Sequence, residues 1–202
     1  MIPLSLPSLA LIAVTASTMP IAVAVVAPPN VTDSLVNRIC VEAEAIWAPA
    51  GIVLEWNRDA SRDEAAPRRF EIAVTIDDRP APAGRHGALG WLTFAADGPE
   101  RLIHLSRASA EELLRNTPGL IDATITSHDA YVARALGRAF AHEMGHYILR
   151  SKVHTPRGLM RAAWTASQAF ASSRDGFALT AEERAEAADN LRMELKRADS
   201  AP

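Results

Sequence analysis

The stretch Asp129-Ala-Tyr-Val-Ala-Arg-Ala-Leu-Gly-Arg-Ala-Phe-Ala-His142-Glu-Met-Gly-His146-Tyr-Ile-Leu-Arg150 decides how this chain is read. It holds no proline, is rich in alanine and long straight side chains, and reads as one long helix. On a helix, residues four apart differ by about 40° in azimuth and roughly 6 Å in height, so His142 and His146 leave one face together. Two such imidazoles can share an ion at about 2.0–2.1 Å. Glu143 projects beside that ion and is placed to hold and deprotonate a water, not to serve as a third ligand. The apolar flanks Ala139, Phe140, Ala141, Ile148 and Leu149 put the motif against a core.

A catalytic zinc site keeps three protein ligands and one open position. The residues after His146 that can complete it are His154, Asp175, Glu182, Glu183 and Glu186. In an unbroken helix His154 would lie about 12 Å beyond His146, too far to share an ion. The helix must therefore stop near Arg150-Ser151, and Pro156 and Gly158 suit a chain that turns back there. His154 is the preferred third ligand. A carboxylate from the last helix, where Glu182 and Glu186 stand four apart, is the alternative.

Outward from the motif the chain alternates. Ile21–Val26 is a short β-branched run ended by Pro28-Pro29, and reads as a buried strand. Thr32 or Asp33 can cap a helix with Leu35, Val36, Ile39, Ala43 and Ile46 on its apolar face, ended by Pro49 and Gly51. Strands are expected at Ile52–Trp56, Phe70–Ile76, Leu89–Phe94 and Leu102–Leu105, the last two joined around Asp97-Gly98, with a polar loop from Asn57 to Arg69. Ser109 with Glu112 can open a short helix, and Thr180 with Glu183 a last one through about Lys196. The stretch between the long helix and Thr180 reads as poor in helix. The expected fold is α/β (α+β): a mixed twisted sheet of four to five strands with an antiparallel edge strand, packed on two main helices, with a C-terminal helix.

Composition bounds the rest. The chain has 202 residues, 49% of them hydrophobic and 22% charged, enough for one packed domain over 19–202, divided into 20–150 and 151–202. A net charge of −3 without a basic cluster excludes nucleic acid as a natural partner. The single cysteine, Cys40, excludes an internal disulfide and a cysteine zinc cage, and fits a small buried side chain. Residues 1–18 carry an apolar run and a small-residue exit like a secretory signal, which points to export to the periplasm or beyond. The alternative is a cytoplasmic chain starting at Met19. Pro3, Pro7 and Pro20 break any stable membrane span. His86, in a loop, reads as solvated, and His104 and His128 read as packing or capping residues, since none of the three has a second ligand at metal spacing.

The run His142-Glu-x-x-His146, then His154, then Gly158-Leu159-Met160, resembles the metzincin zinc metallopeptidases, which include the matrixin-like enzymes. The resemblance spans roughly residues 20–162. It implies a zincin-like fold, one catalytic zinc on His142, His146 and His154, Glu143 as general base, and a peptide or protein substrate. It implies that Met160 forms a turn beneath the metal, and that an extended peptide adds to the edge strand near Gly90 and Trp91. The chain departs from the family's spacing: Leu149 stands where glycine is expected, Lys152 where the third histidine is expected, and His154 comes two residues late. The turn after the helix must then be built differently. A zinc hydrolase of a non-peptide substrate, a gluzincin-like peptidase, and a non-catalytic domain on the same scaffold are the competing expectations.

Overall fold

The structure, a computed structural model, describes residues 18–58, 71–120 and 125–199. The secretory-signal expectation, most of the loop expected at 57–69, and Phe70 lie outside the described residues. Five strands form one sheet: β1 (Met19–Val26), β2 (Ile52–Asn57), β3 (Glu71–Asp77), β4 (Gly90–Ala95) and β5 (Gly98–Ser106). Their order is β2-β1-β3-β5-β4. β1 runs parallel to β2 and β3, β3 parallel to β5, and β4 closes one edge antiparallel to β5. The expected mixed sheet with an antiparallel edge strand is what forms.

Among the described residues five α-helices accompany it: α1 (Asp33–Trp47), α2 (Arg107–Arg115), α3 (Ile125–Ile148), α4 (Ala166–Phe170) and α5 (Ala181–Asp199). Thr32 caps α1 by accepting from the Leu35 amide. The buried residues Leu35, Val36, Ile39, Ala43, Ile46 and Trp47 then follow the helical period. The helix passes into a short 3-10 turn at Ala48–Ala50, and Gly51 takes the left-handed conformation there, at φ 74°. One apolar core joins the sheet to α1 and α3. The two helices cross at Gly137, where a Cβ would stand 2.6 Å from Glu42 Cβ and 2.8 Å from the Ile39 carbonyl. Glycine there sets the distance between the helices.

Three boundaries differ from the sequence reading. The cap of α2 is Ser106, which accepts from the Ser109 amide, because β5 runs straight into the helix without a loop. Ser109 lies inside the first turn, and its hydroxyl accepts from the Ala81 amide instead. α3 starts four residues before Asp129 and ends at Ile148. The stretch read as poor in helix contains α4, opened by a capping box of Thr165 and Gln168. The Thr180–Glu183 box of α5 forms as expected, with both reciprocal bonds present. No helix of the described residues is long and apolar enough to cross a membrane.

Candidate metal centre

α3 carries His142 and His146 on one buried face. Their Nε2 atoms are 3.0 Å apart, and His154 Nε2 lies 3.2 Å from that of His146. Among the described residues these three histidines are the group of side chains able to hold a metal ion. His142 Nδ1 is 2.8 Å from the Leu159 carbonyl oxygen and His146 Nδ1 is 2.6 Å from that of Ser151. A carbonyl can only accept, so both Nδ1 atoms carry the proton and both Nε2 atoms present bare lone pairs. Three ligands in a tetrahedron at the usual Zn–N length would stand roughly 3.3 Å apart. The observed spacings are close to this, and lone pairs so near each other are stabilised only by a cation between them. Burial also keeps the ligand form: it pushes the imidazole of His142 down to about 4, and that of His146 down as well.

The route from His146 to His154 answers the departure in spacing. The Arg150 amide bonds the Tyr147 carbonyl and the Ser151 amide bonds that of His146, each at 3.3 Å, which is a Schellman ending. The left-handed residue is Arg150, at φ 50°, one position after the expected glycine. A side chain there is disfavoured by roughly 1–2 kcal/mol. Arg150 offsets this with contacts: Nη2 donates to the Asp97 carbonyl at 2.8 Å, and Nη1 reaches Glu194 Oε1 at 3.3 Å. Its guanidinium rests on Gly98, where a Cβ would come within 2.5 Å of it. The segment after His154 is fixed by the Thr155 amide bonding the Met160 carbonyl and the Leu159 amide bonding that of Ala178.

Glu183, a weighed ligand, is buried and performs another task. Its Oε1 lies 3.2 Å from the Thr155 hydroxyl, beside His154, while Oε2 accepts from the Thr180 amide. Asp175, Glu182 and Glu186 are exposed and outside the histidine group. The carboxylate alternative for the third position is therefore not what the chain assembles.

Met160 is buried against α3 at Gly145. A Cβ on Gly145 would stand 2.2 Å from Met160 Sδ, so the glycine of the motif is the space that the methionine occupies. The preceding carbonyl, of Leu159, is the one that fixes His142. Gly145→Ala is therefore expected to cost about 1–3 kcal/mol of stability from overpacking. By shifting Leu159 it should weaken zinc binding about 10–100-fold. Urea unfolding and a zinc competition titration measure the two effects, and an unchanged affinity would show that the Leu159-Met160 turn does not govern His142.

The centre opens into a cleft of about 790 Å³, lined among others by β4, the loop before it and residues 161–164. Glu143, Gly90 and Trp91 all line it. Burial pushes the Glu143 carboxyl up to about 7, against a hydrogen bond from the Leu92 backbone and the attraction of Arg85. Trp91 both lines the cleft and packs, its ring stacked 5.1 Å from that of His104. Gly90 is closely held, since a Cβ there would stand 3.1 Å from Leu105 Cδ2, 3.2 Å from the His104 carbonyl and 3.3 Å from Ala139 Cβ. His104 is structural as expected, and His128 stands near Asp129, away from the centre. His86 is exposed as expected, yet it lines the cleft.

Several residues of the site lie outside the histidine motif. Trp164 meets His142 edge-on, with ring centroids 5.4 Å apart. Arg85, Lys152 and Arg161 line the cleft. Arg138, fully buried on α3, bonds Glu42 and the carbonyls of the segment after Trp164. A charged residue on the inward face of an alanine-rich helix was the available signal for Arg138.

No protein-family profile matches the chain, and no curated protein sequence matches it. Among solved structures it is similar to the archaemetzincin of Methanopyrus kandleri, with a TM-score of 0.51 and 14% identity. The likeness covers 88% of this chain and 98% of that one. At this identity it is a likeness of fold, and it agrees with the metzincin-like architecture expected from the sequence. The neighbour is an archaemetzincin, so the likeness does not bear on the matrixin-like branch in particular.

Proposed function

We propose that this chain is a zinc-dependent peptidase with one catalytic ion. The observation that carries the reading is the meeting of three imidazoles, two of them locked by backbone carbonyls into the tautomer that leaves Nε2 free. His142, His146 and His154 would hold the ion. Zinc, when bound, supplies a Lewis acid that polarises a carbonyl and lowers the pKa of water. A purely structural site closes its fourth position with protein, whereas this one faces a cleft.

The chain's own groups supply the remaining chemistry. Glu143 takes the proton of the attacking water at its carboxylate and returns it to the leaving amine. A carboxyl that burial brings near neutrality does both with little penalty. β4 is an edge strand, paired within the sheet only with β5, and it borders the cleft. An extended peptide can add to it through main-chain hydrogen bonds along Gly90 and Trp91, with side-chain pockets setting selectivity. Met160 forms the apolar floor and keeps water from the far side of the ligands.

The zinc content of the purified protein and its hydrolysis of an unstructured protein substrate test the proposal. One zinc per chain is expected, with activity lost on chelation and restored by stoichiometric zinc. Hydrolysis that survives complete removal of metal would overturn it.

A further inference from the structure

The cleft has a charge of its own. Arg85, Lys152 and Arg161 line it, and Glu143 is the one acid among its lining residues. The chain as a whole carries −3, so this local excess of cations runs against its overall charge. The Lys152 ammonium rests 4.9 Å above the Phe94 ring, at the end of the edge strand. Arg161 has its guanidinium carbon 5.9 Å from the centre of the Phe177 ring. Neither Lys152 nor Arg161 is paired with a carboxylate among the described residues.

Arg161 has a second peculiarity. Its Nε and Nη2, shielded from solvent, have no hydrogen-bond partner among the described residues, and the same holds for Trp164 Nε1. Nε and Nη2 form one edge of the guanidinium, the pair of parallel donors that takes both oxygens of a carboxylate. Both atoms are shielded from solvent, so this edge meets a ligand only when the side chain turns, and an acceptor in the cleft that drew it out would relieve the cost of the two unmet donors. Trp164 bridges this wall to the metal centre, touching Phe177 on one side and His142 on the other.

We infer that the cleft selects substrates that present a carboxylate close to the bond that is cut, with Lys152 and Arg161 as the cations that meet it. The inference rests on the peptidase reading and names its substrate class. The carboxylate can be an Asp or Glu side chain or the C-terminus of the peptide, since both offer the same two oxygens.

Calorimetric binding to zinc-loaded Glu143→Gln protein tests this without turnover. Three peptides separate the sources: a C-terminally amidated peptide with Glu on both sides of an Ala-Ala core, its amidated Gln counterpart, and that Gln peptide with a free C-terminus. One of the two carboxylate-bearing peptides should bind about tenfold or more tightly than the amidated Gln peptide, and the preference should shrink with added salt. In Arg161→Gln and in Lys152→Gln the ratio should fall toward one. Lys152 is exposed, so its variant keeps the test sound if Arg161→Gln fails to fold. Equal or undetectable binding of all three peptides would overturn the inference, as would a preference untouched by both variants. Hydrolysis of the amidated Gln peptide by the unmodified protein tests the peptidase reading separately. Cleavage without carboxylate preference would leave that reading standing and remove this one, and carboxylate-dependent binding without cleavage of any peptide would do the reverse.

Discussion

Glutamine in place of Glu143 is expected to slow peptide hydrolysis by about 10²–10⁴-fold while zinc binding persists. The side chain is of nearly the same size, so the fold and the three imidazoles are kept. What is lost is the group that accepts the water's proton and delivers it to the amine. Glu143 lies outside the metal-binding group but lines the same cleft, which is why the two properties should separate. Initial rates and zinc content on the same preparation provide the check. Unchanged rates would remove Glu143 from the mechanism, and parallel loss of zinc and activity would make it a structural residue.

Leucine in place of Arg138 is expected to cost about 3–5 kcal/mol of stability, since it removes the buried one of the two cations on the Glu42 carboxylate and leaves four backbone carbonyls without their donor. Arg138 is fully buried, and its Nε donates to Glu42 Oε1 at 2.8 Å. Its Nη1 donates to the Gln168 and Ala169 carbonyls and its Nη2 to those of Ala171 and Ser173. The plane of the guanidinium also covers Phe177, 4.4 Å from the ring centre. Arg174 reaches the other oxygen of Glu42 at 2.8 Å. One side chain thus fastens α1, α3 and the segment that leads from Trp164 to Phe177 along the cleft. Urea unfolding of the metal-free protein gives the cost. The double change Arg138→Leu with Glu42→Leu should recover part of it, because no charge then remains stranded. A single variant within about 1 kcal/mol of the parent would show that the network is dispensable.

The order of strands and helices was legible because their periods are strong. β-branched runs between prolines mark β1 and β2, and apolar residues at helical spacing mark α1 and α3. The first two imidazoles were legible for the same reason: four residues on a helix fix their relation. His154 required that the helix end, and the local sequence offered only Pro156 and Gly158 as signs. The ending itself lies at Arg150, a residue with no preference for the left-handed region, held there by Asp97, Glu194 and the space over Gly98. Those partners are 44 to 53 residues away in sequence, beyond any local pattern. The same holds for Gly145, whose place in the motif is explained by Met160, and for Glu183, which left the ligand set to brace Thr155. The cap of α2 moved to Ser106 because a strand feeds it directly, a junction that composition does not reveal.

The central claim is that one cation joins His142, His146 and His154. Zinc-edge X-ray absorption on the protein loaded with one equivalent of zinc tests it most directly. The account predicts three imidazole nitrogens at about 2.0–2.1 Å, with one of them lost in His154→Ala. A first shell with two imidazoles, unchanged by that substitution, would contradict it.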